Sequence, residues 1–546
     1  MTGRPLDLER AEAVETASGH DYDAATRRWT LIAMVLASSV VFLDGSIVQV
    51  ALPAIDRGLS AGLSGLQWVV NGNLLMVSSL LIVGGFLGDR YGRRRTMTAG
   101  LLAFGIASVA SGLAQNLPWL IGARMAQGAA GALLVPAALA VVAEVFPEGE
   151  ERGQAIGTWA AWAGAVGVIG PLAGGVLVDQ LSWRGVFFLN LPLVLLAVWL
   201  LRRRVPETRD PDTGERLDWP GAALALAGLG GVAFGLIQGP VVGWGAPEIL
   251  AALVAGVAAL LGFVAWQTRA PHPLLPLGLF RSRNFSGANL TTLALYFAIG
   301  GSLFLLMIYL QNISGYPALG AGLVVLPVPG VMLLLSGRFG KWAGQVGARW
   351  FMTAGPLIAA AGLWLLSRIT PQVSVWHLLG ATTVLSLGLA VAVAPLTTTV
   401  MSSVATENLA RASAVNNTAS RLAQLLAVTV VGAVVAGVFT SRLAERTSDL
   451  ALSPPAEAQL ARLAADPTGR GLRSEELPAE VRRAVARTYT EAFSAAMLLA
   501  AAMAALGGVV AAATIRDEKV RKVALPEHRP SPSEHWPCLA HAQRGA

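Results

Sequence analysis

Long apolar blocks, separated by short polar breaks that carry most of the arginines, repeat along the whole chain. Fourteen such blocks can be laid out over the 546 residues. Six lie at about 29–52, 65–87, 97–115, 118–143, 153–178 and 185–201, and two at about 218–238 and 248–267. The last six lie at about 285–310, 319–337, 350–367, 376–400, 412–438 and 489–515. Roughly 20 apolar residues cross a bilayer as a helix, and a backbone facing lipid must satisfy its own hydrogen bonds. The pattern therefore predicts an all-α, polytopic membrane protein of fourteen spans. Its parts are a tail 1–28, a six-helix bundle 29–201, a loop 202–217, an inserted helix pair 218–267 and a loop 268–284. A second six-helix bundle, 285–515, carries a long loop at 440–488 and leads into a tail 516–546. The first 28 residues are polar, and the block after them contains Asp44 and is too long for a signal peptide, so it reads as a retained first span.

Charge sets the orientation. With the N-terminus in the cytosol, six cytosolic loops between Arg90 and Arg411 hold seventeen basic residues. The five short outer loops hold only Arg57, Arg184 and Arg368. The positive-inside rule then places both termini and both tails in the cytosol of a cell whose plasma (or inner) membrane the chain crosses. The excess of 40 basic over 33 acidic residues belongs to these loops and not to a nucleic-acid surface. Only 13% of residues are charged and 54% are hydrophobic, against about 25% charged in soluble proteins. A soluble enzyme and a disordered chain are excluded, and the single cysteine, Cys538, rules out an intrachain disulfide. The 440–488 segment has eight arginines and seven acids, with breaks at Pro454, Pro455 and Pro478. Its stretches 456–465 and 478–488 suit short amphipathic helices, serving as a lid, a partner surface or a tolerated solvated insertion.

Asp44 is the one acid well inside a proposed span, since Glu144 and Asp179 fall at span ends. An intramembrane carboxyl is expensive and is by default a functional candidate. Burial favours the neutral form of a carboxyl, so such a group can load and release a proton as water access changes. Depth offers a partner. Asp44 lies roughly 22 Å from the cytosolic end of its span and Arg124 roughly 9 Å from the outer end of the fourth, similar depths in a core about 30 Å thick. A structural carboxyl, or an ionic strut without a transport role, is the competing reading. In the fifth span Gly164, Gly167, Gly170 and Gly174 recur at steps of 3, 3 and 4, read as one helical face, with Pro171 and Gly175 among them. Small residues admit another helix closely, and proline permits a bend. Substrate-cavity candidates near mid-span are Gln49, Asn71, Asn73, Trp159, Trp162, Tyr296, Asn416 and Arg421, whose aromatics could hold a lipophilic cation.

The chain also repeats itself. Gly85-Phe-Leu-Gly-Asp89-Arg90-Tyr-Gly92-Arg93-Arg94 joins spans 2 and 3, and 255 residues later a fainter Gly340-Lys-Trp-Ala-Gly344-Gln-Val-Gly347-Ala-Arg349 joins spans 10 and 11. Two parallel six-span halves with a pair of spans between them account for that offset. No phosphate-binding Gly-x4-Gly-Lys-Ser/Thr occurs, so ATP is not the evident energy source. His535, Cys538 and His541 in the tail are a weak metal pattern, and no metal or cofactor is expected.

The 85–94 run resembles the loop signature of the major facilitator superfamily. Leu43-Asp44 through Leu52-Pro53 resembles the first-span motif of its fourteen-span drug:proton antiporters, the EmrB/QacA type. Arg124-Met-Ala-Gln127-Gly128 resembles the fourth-span motif and Gly164 to Gly175 the fifth-span antiporter motif. Trp183-Arg184 with Phe187, Phe188, Asn190 and Pro192 is similar to the entry of span 6, and Ser413 to Arg421 to a late-span signature. The resemblance implies two six-helix bundles plus two helices and export of amphipathic small molecules driven by the proton gradient. It implies a proton relay through Arg124, and a cytosolic gate at Gly85, Asp89, Arg90, Gly92, Arg93 and Arg94. A monomer in the lipid bilayer is expected, with the small molecule and protons as its partners. Neither nucleic acid nor a periplasmic adaptor is called for. A dedicated exporter of an endogenous metabolite, antibiotic or lipid, and a membrane sensor or scaffold, are the alternatives.

Overall fold

In a computed structural model the described residues are 22–147, 150–209, 217–405, 408–447 and 479–517, with 460, 461, 463, 464 and 467–469 between the last two segments. The expected amphipathic stretch 456–465 lies mostly outside them, and the tail pattern His535, Cys538, His541 entirely so. The described residues are helical, without strands. The first half comprises α1 (Ala24–Leu59), α2 (Gly62–Tyr91), α3 (Arg93–Gly112), α4 (Leu117–Val145, with a turn at 132–134), α5 (Glu150–Gln180) and α6 (Gly185–Arg204). An inserted hairpin follows, α7 (Trp219–Val242) and α8 (Pro247–Gln267). The second half comprises α9 (Arg283–Ile313), α10 (Ala318–Val346), α11 (Ala348–Leu366), α12 (Val375–Ser402), α13 (Leu409–Thr447) and α14 (Ala479–Thr514).

Among the described residues, 12 of these helices are long and apolar enough to cross a membrane. The others are α3, whose first turn is Arg93-Arg94-Arg95, and α5, which contains the shorter apolar helix Ala165–Gln180. Of the stretch 478–488, expected as a separate loop helix, the described residues 479–488 are instead the start of α14, because nothing between Ala479 and Thr514 breaks the helix.

Local chemistry marks the boundaries. Side-chain oxygens of Asp23, Asn116, Asp218 and Ser282 accept the backbone N–H three residues on, capping α1, α4, α7 and α9. Asp23, outside the span, is held below the usual carboxylate range by its hydrogen bonds from Thr26. At the C-termini of α2 and α10, Gly92 (φ 102°) and Gly347 (φ 110°) take backbone angles that a side chain strains to adopt.

One end of the bundle carries Arg93–Arg95, Arg202–Arg204 and Arg349, and the two ends differ in packing. At the arginine-poor end a single apolar core runs through both halves, from Ile47, Leu52 and Ile55 to Phe304, Tyr309, Phe439 and Phe493. Toward the arginine-rich end it divides. One core, with Met34, Phe104, Val141 and Leu201, belongs to the first half; another, with Phe285, Met352, Leu396 and Ala511, belongs to the second. Polar contacts agree. Gln67 Nε2 donates to the carbonyls of Val428 (2.7 Å) and Thr429 (3.1 Å), and Asn71 Nδ2 donates to Thr429 Oγ1 (2.8 Å). Gln311 Nε2 donates to Val50 O (2.9 Å), and Asp179 accepts the N–H groups of Ala318 (2.9 Å) and Leu319 (2.8 Å). Among the described residues, these are the hydrogen bonds that join the halves, and all lie toward the arginine-poor end. The inserted α7 packs on this seam, setting Leu229, Ala233 and Ile237 against Leu74 and Leu75 of α2 and Leu425 of α13. Asp218 clasps the hairpin by also accepting from Trp266 Nε1 (2.6 Å) and Gln267 Nε2 (2.7 Å) of α8.

Candidate functional site

Midway along α1, Asp44 is 2% exposed and forms an ion pair with Arg124 of α4, itself 3% exposed. Arg124 meets Asp44 Oδ2, and its other bonds are to Gln127 Oε1 (2.8 Å) and the Val69 carbonyl of α2 (3.2 Å). Asp44 Oδ1 accepts from Gln127 Nε2 (3.1 Å) and from Asn190 Nδ2 of α6 (3.0 Å). Ser108 of α3 accepts from Gln127 (2.7 Å) and Asn190 (3.3 Å), and Ser111 donates to Gln127 Oε1 (3.3 Å). Phe187 presents its ring to the guanidinium at 5.9 Å. Five helices of the first half thus converge on one carboxylate with no bulk-solvent contact. In such a setting the pair stabilises both charges, and removing one partner leaves the other uncompensated.

Neighbouring positions on α1 look elsewhere. Gly45 is exposed, and a methyl group placed on it would meet nothing within 4 Å. Gln49 shares its helical face. One turn earlier Phe42 packs under the guanidinium of Arg421 at 5.6 Å, and Arg421 of α13 is an electrostatic neighbour of Tyr296 of α9. Tyr296 and Arg421 are therefore grouped beside Phe42 of α1, and Gln49 lies on the Gly45 face of that same helix.

Most of the other cavity candidates have a near polar partner, as a polar group in an apolar interior does. Asn71 is fully buried in the seam against Thr429, and Asn73 turns into the first half toward the Arg124 carbonyl (3.5 Å). Trp159 donates to Ser38 (3.0 Å), Asn416 accepts from Thr292 (2.8 Å), and Trp162 is 56% exposed.

The glycines of α5 occupy two faces, not one. A methyl on Gly170 would collide with Ser46, and one on Gly174 would lie 2.7 Å from Ile47, so this pair seats α5 against α1 beside Asp44. Gly167, Pro171 and Gly175 instead meet Pro329, Gly322 and Leu319 of α10, across the halves. Steps of 4 hold a face on a 3.6-residue helix, whereas the mixed series drifts from one face to the next. Gly164 lies in the same helix, but its side-chain environment is outside the described set.

At the arginine-rich end Asp89 accepts from Arg93 Nε (2.8 Å), and Arg93 also bonds Glu144 of α4. A methyl group on Gly85 would lie 3.5 Å from Pro136, and Arg90 lies over Tyr91 at 5.7 Å. Glu207, just beyond α6, accepts the N–H of Arg94 (3.0 Å), and Arg94 reaches back to Val205 O (3.1 Å). The second copy does likewise: Asp517, just beyond α14, accepts the N–H of Arg349 (3.0 Å), and Arg349 reaches Ala512 O (2.7 Å). Sequence reasoning missed both carboxylates. It also missed Gln127, Asn190, Ser108 and Ser111 as parts of the Asp44 shell. The signal for Gln127 was its position three residues after Arg124, on the same face; Asn190 was a lone amide leading into the apolar stretch of α6. Among the described residues no cluster of three or more metal-type ligands occurs.

Residues 34–428 match the Major Facilitator Superfamily family profile. The chain is 34% identical to the multidrug resistance protein Stp of Mycobacterium tuberculosis over 418 residues, 77% of this chain and 78% of that one. It is 32% identical to the tetracenomycin C resistance and export protein of Streptomyces glaucescens over 521 residues, 94% of each. It is 35% identical to the puromycin resistance protein of Streptomyces alboniger over 439 residues, 80% of this chain and 87% of that one. Among solved structures, a bacterial homologue of the human lysosomal transporter Spinster superposes with a TM-score of 0.63 at 17% identity, covering 91% of this chain and all of that one. A D-xylose–proton symporter gives 0.59 at 14%, covering 90% and 98%. The chain belongs to the major facilitator superfamily and is a multi-pass membrane protein.

Proposed function

We propose that this major facilitator is a proton-coupled exporter of amphipathic small molecules, with fourteen spans and both termini in the cytosol. Its arginine-rich end faces the cytosol. The continuous core at the other end and the divided core at this one support a carrier open to the cytosolic side. Cargo enters between the halves and rests near Gly45, Gln49, Tyr296 and Arg421. Relatives named for resistance to puromycin and export of tetracenomycin C support cargoes with a large apolar body and polar groups. Near end-to-end alignment with the latter favours a second reading within the same class, export of a compound made by the producing cell itself.

The observation that carries the proposal is the buried Asp44–Arg124 pair beside the open face of α1. A cargo or ion shifts a carrier between states only by binding them unequally. Protonating Asp44 removes the partner of a buried guanidinium, so the ionised and neutral forms favour different packings of α1, α4 and α6. Through Gly170 and Gly174 any movement of α1 reaches α5, and through Gly175 the opposite half. The Asp89 cluster holds α2, α3 and α4 together in this state, with release expected as the cytosolic end closes.

The test is cargo-driven proton release from purified carrier, using puromycin and ethidium as probes. Wild type should release protons on binding, and Asp44→Asn should release none while still binding cargo. Undiminished proton release in Asp44→Asn would overturn the assignment.

A further inference from the structure

One atom around Asp44 is idle. Asn190 is fully buried, and both its hydrogen bonds leave through Nδ2, to Asp44 Oδ1 and Ser108 Oγ, while its Oδ1 is buried with no partner. An unpaired buried acceptor is costly, and a well-packed interior rarely keeps one without a use. Gln127 is the contrast. Its Nε2 serves Asp44 and Ser108, and its Oε1 accepts from Arg124 and Ser111, so neither end is free.

A proton arriving at Asp44 goes to Oδ1, because Oδ2 faces the guanidinium, the one charged side chain among the described residues bonded to this carboxyl. The groups facing it from α3, α4 and α6 are otherwise neutral, and on α5 Gly170 approaches Ser46 and the backbone of Ile47. The new O–H needs an acceptor, yet two amide NH2 groups already point at Oδ1. One must turn. Turning Gln127 would set its NH2 against Arg124. Turning Asn190 about its terminal torsion, which is broad and close to two-fold, exchanges Nδ2 for the idle Oδ1. Ser108, with a rotatable O–H at the same distance, can then donate to it as well.

We propose that Asn190 is a positioning residue that follows the proton, donating Nδ2–H to ionised Asp44 and turning over to accept the O–H of the protonated acid. The proposal rests on Asp44 as the proton site and assigns the group that lets it load without breaking its shell. The proton adds to a carboxylate lone pair and no other covalent bond changes.

The experiment is infrared difference spectroscopy against pH on the full chain in lipid nanodiscs. The carboxylic C=O band missing from Asp44→Asn belongs to Asp44. Gln127→Leu removes a donor that serves the ionised form better than the neutral one and should raise the midpoint of that band by about one pH unit. Asn190→Leu removes a partner of both forms, so the midpoint should stay within about a third of a unit, while the band moves to higher wavenumber as the O–H loses its acceptor. In wild type with side-chain 13C-labelled asparagine, one labelled amide C=O should shift down in step with the Asp44 band and vanish in Asn190→Ser. This last measurement stands even if the leucine variant does not fold. A midpoint raised as far as in Gln127→Leu, or no labelled amide change, would show Asn190 to be a fixed donor and overturn the proposal. If no Asp44 band titrates at all, the proton-site reading itself falls and takes this one with it.

Discussion

The two turns of the repeat, around Gly92 and Gly347, were built alike and have diverged in one respect. Both pass through a glycine of positive φ, and both have the next helix capped by a carboxylate just past the last helix of the same half. A methyl group on Gly92 would lie 2.6 Å from Glu207 Oε1, and one on Gly347 2.5 Å from Asp517 Oδ2. The first copy adds Asp89, linked to Arg93 and through it to Glu144; the second has Gly344 there, where a side chain would meet nothing within 4 Å. Backbone turn and cap are thus what each half needs to hold its shape, and the acidic residue is an addition confined to one of them. A device that stabilises one conformer need exist only once, whereas every half must fold.

That division can be broken at several points. The largest effect is expected from Gly92→Ala and Gly347→Ala, which combine a left-handed backbone with a displaced carboxylate and should each cost about 2 kcal/mol. Thermal unfolding of the purified carrier reads this, and a tolerant copy would show that the two turns are not equivalent. Next, Asp89→Asn should slow drug efflux, read as uptake into inverted vesicles, about tenfold, a coupling of ordinary size, with little change in melting temperature. Gly344→Ala should leave efflux within about twofold, well under a typical coupling energy; an equal loss in both variants would erase the asymmetry. The smallest effects belong to Glu207→Gln and Asp517→Asn, at about 0.5–1 kcal/mol each. Lying in different halves they should add, which the double variant tests by its melting temperature.

How much of this was legible depends on whether the information is local. The helices are, because long apolar blocks announce them, and the depth of Asp44 and Arg124 follows from counting residues along their helices. The shell around them does not. Asn190 lies 146 residues from its partner, and an amide carries no mark of which distant group it will meet. Glu207 and Asp517 fall just past helix ends, where sequence shows only loop and basic tail. The α5 glycines misled because a spacing of 3, 3 and 4 names a sector of a helix without saying that two neighbours divide it. The apolar count of α3 fails for a simple reason: its first turn is spent on arginines that the adjoining loop also needs.

Asp44 and Gly45 are consecutive residues, yet one is sealed in a polar knot and the other is exposed, with open space where its side chain would be. On the proposed function, ion and passenger would occupy separate rooms that share only a wall. The passenger's own charge would then stay out of the acid's surroundings, and a single carrier could serve chemically unrelated molecules without retuning the step that drives them.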